Sequence, residues 1–334
     1  MSVCIVYHYY ESSPQYADNL KHFLQFGCQG SADVLVLLAS EASFRLPQLP
    51  NVKYIPIENH NFDYGGHAQV VNTGWVGGYD HVFFINNSVR GPFLPAYCPT
   101  DWTDAFLRHF SNPQVGLVGA SINVPPADSK YTTGYRARHG GSGLCPHVQS
   151  FAYVLSQTAL IALYEAGFYT LQGDCTKDRL IVDYEIHLSQ LLLSKGFKLA
   201  CLMPEYNALN YAHLPAEANP NPAAHGGDAF FERAYFGRTP HPFETVFVKT
   251  NRKVYADYFL NAVAYGMYCN GLSGANNPGA PNLLGFGAET PHLLSQQAKA
   301  DALPRAWHAF KKMLWEKVDP KPFRKPKVRK LEVD

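Results

Sequence analysis

The feature that most constrains the fold is an alternation. Five short apolar runs recur along residues 3–122: "VCIVYHYY" (3–10), "ADVLVLLAS" (32–40), "VKYIPIEN" (52–59), "DHVFFIN" (80–86) and "VGLVGASI" (115–122). Several are apolar without a break, the pattern of strands covered on both faces. Between them lie stretches of helical period. "QYADNLKHFLQFG" places Leu20, Phe23 and Leu24 on one side and closes at Gly27. "DYGGHAQVVNTGWVGG" reads as a Gly-rich turn entering a helix, and "TDWTDAFLRHF" as an amphipathic helix. Strands alternating with helices predict an α/β, Rossmann-like domain with a mixed, mainly parallel sheet flanked by helices.

Later segments extend the pattern. "HVQSFAYVLS" (147–156) reads as a further strand, and "TALIALYEAGF" as a helix. "DRLIVDYEIHLSQLLLSKGF" reads as a helix ended by Gly196. The Gly-rich segment "PPADSKYTTGYRARHGGSGLCP" reads as a mobile loop over a site. Texture changes near residue 214, where Pro, Ala, Asn and Gly crowd together. The expected organisation is a domain over 1–213, a loop-rich and helical extension over 214–310, and a basic tail over 311–334. That tail carries nine Lys or Arg against four acids and offers a peripheral contact to an anionic membrane.

Composition narrows the partners. Net charge is +1 over 334 residues, so no global field points to nucleic acid. The seven cysteines contain no C-x-x-C pair, which argues against a zinc site or disulfide framework and for a reducing, cytoplasmic setting. No leader peptide is expected at "MSVCIVYHYY", and no apolar stretch reads as a membrane span.

Four places carry residues suited to chemistry. Asp63 stands before Gly65-Gly66 at an expected helix start, where backbone N–H groups could meet a diphosphate. Asn86-Asn87-Ser88 ends a strand in a polar knot, followed by Arg90, whose charge suits a phosphate. His147 and Gln149 open the strand after the Gly-rich segment, facing an acceptor. Asp183 and Glu185 sit near a helix start, and a spacing of two turns them to different faces.

In combination, "NFDYGG", "FFINNSVRGPF", "VGLVGASI", "HVQSFAYVLS" and "DYEIHLSQLLLSKGF" resemble GT-A type glycosyltransferases over residues 1–213. The likeness is to algal-virus capsid glycosyltransferases and to bacterial rhamnan and capsular polysaccharide transferases. The resemblance implies a nucleotide sugar, UDP-linked by preference, as donor and a hydroxyl of a glycan or glycoconjugate as acceptor. It places Tyr7, His8, Tyr9, Asp63, Gly65, Asn86, Asn87, Ser88 and Arg90 at the donor, and His147, Gln149 and Trp102 at the acceptor. It makes Glu185 the catalytic base of an inverting hexosyl- or pentosyltransferase in polysaccharide biosynthesis, with Asp183 second choice.

One departure matters. The family strand ends in Asp-x-Asp, which holds a divalent metal, whereas Asn86 and Ser88 stand here. Weak metal dependence is expected, with manganese or magnesium on Asp63 or His213 as the open alternative. A P-loop enzyme is excluded by the absence of G-x-x-x-x-G-K-[ST]. The alternative to an enzyme is a degenerate domain that binds glycans or scaffolds an assembly. "HPFETVFVKTNR" resembles an ordered family segment without an assigned role.

Overall fold

The computed structural model describes residues 1–95, 97–98, 101–171, 173–207, 209–214, 227–270 and 282–286. The chain divides into two compact units, Met1–Leu284 and Gly285–Asp334. The basic tail and most of the second unit lie outside the described residues. The first unit is an α/β domain built on a seven-stranded, mostly parallel mixed sheet.

Its strands are β1 (Val3–Tyr9), β2 (Asp33–Leu38), β3 (Val52–Pro56), β4 (His81–Asn86), β6 (Val115–Gly119), β9 (Ala152–Ser156) and β10 (Lys198–Cys201), in the order β10-β6-β9-β4-β1-β2-β3. Parallel pairs β1/β2, β2/β3 and β1/β4 make the Rossmann-like half, and β9 runs antiparallel to both β4 and β6. Two short ladders stand apart from it. One joins β7 (Ile122–Asn123) to β8 (His147–Val148), the other β5 (Val89–Arg90) to β11 (Val248–Lys249).

Helices cover the sheet. α1 (Pro14–Phe26) starts on Pro14, whose fixed φ suits a first helical position, and buries Leu20, Phe23 and Leu24. α2 (Phe62–Asn72), α3 (Asp104–Leu107), α4 (Lys130–His139), α5 (Gln157–Glu165), α6 (Lys177–Leu180), α7 (His187–Ser194), α8 (Pro242–Thr245) and α9 (Asp257–Cys269) follow. Among the described residues no helix is long and apolar enough to cross a membrane.

Four segments differ from the sequence expectation. The stretch read as a mobile loop contains α4, because Ser129 caps it by accepting from the Thr132 amide, while Tyr135 packs with Val182 and Ile186. "HVQSFAYVLS" is two strands, since β8 turns away to pair with β7 and leaves Gln149 to Phe151 between ladders. "VGLVGASI" breaks likewise, and a Cβ on Gly119 would lie 2.4 Å from Val148 Cγ1. The helix through Glu185 is α6, then a π-helical turn (Ile181–Ile186), then α7.

Residues 227–270 belong to the same unit as the sheet. Asn19 on α1 is fully buried and donates to the Asn87 carbonyl (2.9 Å) and Thr250 Oγ1 (2.8 Å), while accepting from Arg90 Nε (3.0 Å). One amide thus joins α1, the knot after β4 and the segment after β11.

Candidate active site at the sheet switch point

Strand order reverses at β1. β2 and β3 step outward on one side and β4 on the other, so the connections diverge and leave a crevice at the carboxyl ends of β1 and β4, where open α/β sheets bind ligands. A cavity of about 810 Å³ lies there, lined by His8 and Tyr10 from the end of β1 and by Asn86, Asn87 and Ser88 from the end of β4.

The knot is rigid. Asn86 Nδ2 donates to Asp63 Oδ2 at 2.8 Å, and Asn86 Oδ1 accepts from the Ser88 amide (3.1 Å) and hydroxyl (2.6 Å). Asn87 Nδ2 donates to the Tyr10 carbonyl at 2.7 Å. Asp63 is buried, and burial pushes its carboxyl up to about 6. The Asn86 amide opposes that rise, and the charge of Glu185 adds to it.

Glu185 reaches the cavity from the π-helical turn. Such single-turn insertions shift the facing of side chains along a helix and recur at functional sites. Its side chain is 16% exposed; Ser150 Oγ donates to Oε2 at 2.9 Å, and His147 Nε2 stands 3.7 Å from Oε1. His147 Nδ1 lies 3.0 Å from the Cys145 carbonyl, which assigns the ring proton to Nδ1 and leaves Nε2 a lone pair facing Glu185. Burial holds His147 below an ordinary imidazole, against the pull of Glu185 and of that carbonyl. Asp183 points elsewhere: Arg138 (2.5 and 2.7 Å), Arg179 (3.1 Å) and His139 (3.0 Å) enclose it, and it does not line the cavity.

Several residues expected at the donor or acceptor do other work. Tyr7 is buried and stacks on Phe23 at 4.5 Å, and the Tyr9 hydroxyl donates to Glu11. Alternation along β1 turns these two from the side on which His8 meets the cavity. Gly65 is inside α2, its N–H bonded to the Asn61 carbonyl, and a Cβ there would lie 1.7 Å from the His60 carbonyl oxygen. A Cβ on Gly66 would lie 2.8 Å from His8 Cδ2. Both glycines therefore serve close approach of backbone and ring, with no free N–H at Gly65 for a phosphate. Arg90 is buried against Asn19 and pairs with Asp257 at 3.6 Å. Trp102 is core, edge-on to Phe83 and Phe247, with its indole N–H on the Gly27 carbonyl at 3.0 Å.

The residues present do not fit a divalent metal. A hard cation takes several oxygen ligands with carboxylates among them. Asn86 and Ser88 spend their oxygens and donors on each other and on Asp63. Among the described residues no three His, Cys, Asp or Glu side chains converge on one point. His213 lines a different cavity, of about 620 Å³, so it does not share a site with Asp63.

Other residues reach the cavity unannounced. Phe62 is 48% exposed and lines it, while Asn61 and Phe62 both hold left-handed backbone (φ 54° and 56°). For Phe that conformation is costly, on the order of 1–3 kcal/mol. Asn61 anchors the turn by donating to the Gly173 carbonyl (2.8 Å) and accepting from the Cys175 amide (2.7 Å). From the extension come Asp228, Lys249 and Arg252. Asp228 is buried and pairs with Lys249 (3.5 Å) and Arg252 (3.1 Å). Burial alone would raise its carboxyl, but Lys249, the Phe230 amide, Arg252 and Gln149 together draw it down. Gln149, a cavity residue, also accepts from Ser121 Oγ at 2.6 Å.

No protein-family model matches the chain, and no curated protein matches it in sequence at a significant level.

Proposed function

We propose that this chain is a glycosyltransferase that moves a sugar from a nucleotide-sugar donor, UDP-linked by preference, to a hydroxyl of a glycan acceptor with inversion. The observation that carries this reading is Glu185. It is a carboxylate delivered by a π-helical turn into the switch-point cavity, oriented by Ser150, and within hydrogen-bonding reach of any hydroxyl placed there. In the reaction the acceptor oxygen bonds to the anomeric carbon, the bond from that carbon to the phosphate oxygen breaks, and the hydroxyl proton passes to Glu185. The nucleoside diphosphate leaves with the bonding electrons. His147, whose Nε2 stands 3.7 Å from Oε1, borders the carboxylate without hydrogen-bonding it.

The remaining lining suits the same substrates. Phe62 offers a flat apolar face on which a base or sugar ring stacks. His8, Asn59 and Asn61 supply neutral polar edges near it. Tyr131 in α4, Leu180 at the end of α6 and Ile181 at the start of the π turn line the other side.

Glu185→Gln keeps the shape and the Ser150 contact but cannot take a proton. It is expected to bind nucleotides as the wild type does and to lose at least about 100-fold in sugar transfer, the usual size of a general-base contribution. The measurement is product formation from a panel of nucleotide sugars and oligosaccharide acceptors, beside nucleotide-induced shifts in Tm. Undiminished transfer by the variant would remove Glu185 from the role. Binding of a glycan by a wild type that never turns over a donor would favour the scaffold reading.

A further inference from the structure

The leaving diphosphate of such a reaction needs positive charge beside it, and the strand end that resembles a metal site has none to offer. The fold brings cations to that place by another route. Strand β11 pairs antiparallel with β5, setting Lys249 opposite Val89 and Val248 opposite Arg90. Just beyond, the Thr250 amide donates to the Ser88 carbonyl at 3.0 Å. Lys249 and Arg252 therefore arrive beside the knot of Asn86 to Ser88, from a segment some 160 residues further along the chain.

Both side chains are pre-set. Lys249 Nζ sits 5.2 Å over the Phe151 ring and Arg252 lies 4.5 Å over the Phe231 ring, and both reach the buried Asp228. Two cations sharing one carboxylate leave one positive charge over within the trio, which lies on the cavity's lining. Asp228 thus works as a holder that aims two donors of different shape, a compact ammonium and a planar fork, the pair suited to phosphate oxygens.

We propose that Lys249 and Arg252, held by Asp228, bind the phosphates of the donor in place of a divalent cation. The inference rests on the glycosyltransferase reading and adds the identity of the phosphate-binding groups.

The test uses the full chain and measures calorimetric binding of UDP, GDP, ADP, CDP and inorganic pyrophosphate, each in EDTA and in manganese. The wild type is expected to bind at least one nucleoside diphosphate with the same Kd in both. Arg252→Gln is expected to weaken that binding about tenfold, and Lys249→Gln with Arg252→Gln by 100-fold or more, while affinity for the matching nucleoside is unchanged. Arg252 is one-third exposed and its loss leaves Asp228 paired with Lys249, so the single variant keeps the test alive should the double variant fail to fold. Binding that needs manganese, or an Arg252→Gln protein with wild-type affinity, would overturn the proposal and leave sugar transfer standing. A wild type that binds no nucleoside diphosphate in either condition would overturn both.

Discussion

At the scale of single residues, chemistry follows from where polarity meets burial. Asp63 is the sharpest case. Its folded carboxyl is raised to about 6 from the ordinary 3.8, chiefly by burial, so the folded state binds the proton more tightly than the unfolded chain. Below pH 3.8 both states are protonated and the group is neutral in the balance. Between pH 3.8 and 6 the folded state holds more protons, so stability falls as pH rises, by up to about 3 kcal/mol, and stays lower above pH 6. Asp63→Asn should flatten that slope, which denaturant melts at a series of pH values would register. An equal slope in both proteins would place the perturbation elsewhere. Glu185 and Asp63 stood out in the sequence because a carboxylate beside an apolar run or a glycine pair is conspicuous. Lys249, Arg252 and Asp228 did not, because charges in a polar, loop-rich segment look like ordinary surface until a ladder sets Lys249 beside β5 and both cations converge on Asp228. Tyr7 and Tyr9 misled for a related reason: as the strand neighbours of His8 they take the side opposite to it, while Arg90 turns inward to Asn19 and Asp257.

At the scale of elements, strands and their alternation with helices were legible, and local breaks were not. Continuous apolar runs announce buried parallel strands, and β1, β2 and β4 follow them closely. The π turn at Ile181–Ile186 has no such signature, because its apolar positions suit an ordinary helix equally well. Nor did the glycines reveal their purposes, which differ sharply. Gly65→Ala would drive a methyl into the His60 carbonyl, so a loss of about 3 kcal/mol is expected, at the upper end of overpacking costs. Gly134, inside α4, is the contrast: its Cβ would meet Val182 at an ordinary 3.5 Å, so Gly134→Ala should gain up to about 1 kcal/mol of helix propensity. Thermal melts of the two variants should move in opposite directions. A neutral Gly65→Ala would show that the turn before α2 relaxes freely. The same Gly-rich look that suggested a loop over 125–146 concealed a capped helix, since one Ser cap and a buried Tyr outweigh a single interior glycine.

At the scale of the whole molecule, the sheet and the cavity depend on segments far apart in sequence. The boundary drawn at residue 213 followed composition, and composition is blind to β11, a two-residue strand that pairs with β5 and lies in the same compact unit as the sheet. Asn19 ties the parts together, and its removal leaves the buried Arg90 Nε and Asn87 carbonyl without a partner. Asn19→Ala should therefore cost about 3 kcal/mol, roughly one per hydrogen bond lost, and should loosen residues 227–270 in hydrogen exchange before the central strands. Protection unchanged in that segment would show that β11 is held by its ladder alone. Residues 19 and 250 meet across 231 positions, so the contact must offset the entropy of closing a long loop. The consequence is one of timing. A ribosome has finished every strand of the main sheet by residue 201, yet the wall bearing Lys249 and Arg252 has still to be synthesised. For that interval the nascent chain carries Glu185 and the strand ends but not Asp228, Lys249 or Arg252, so the cavity is complete only once its last-made wall has been added.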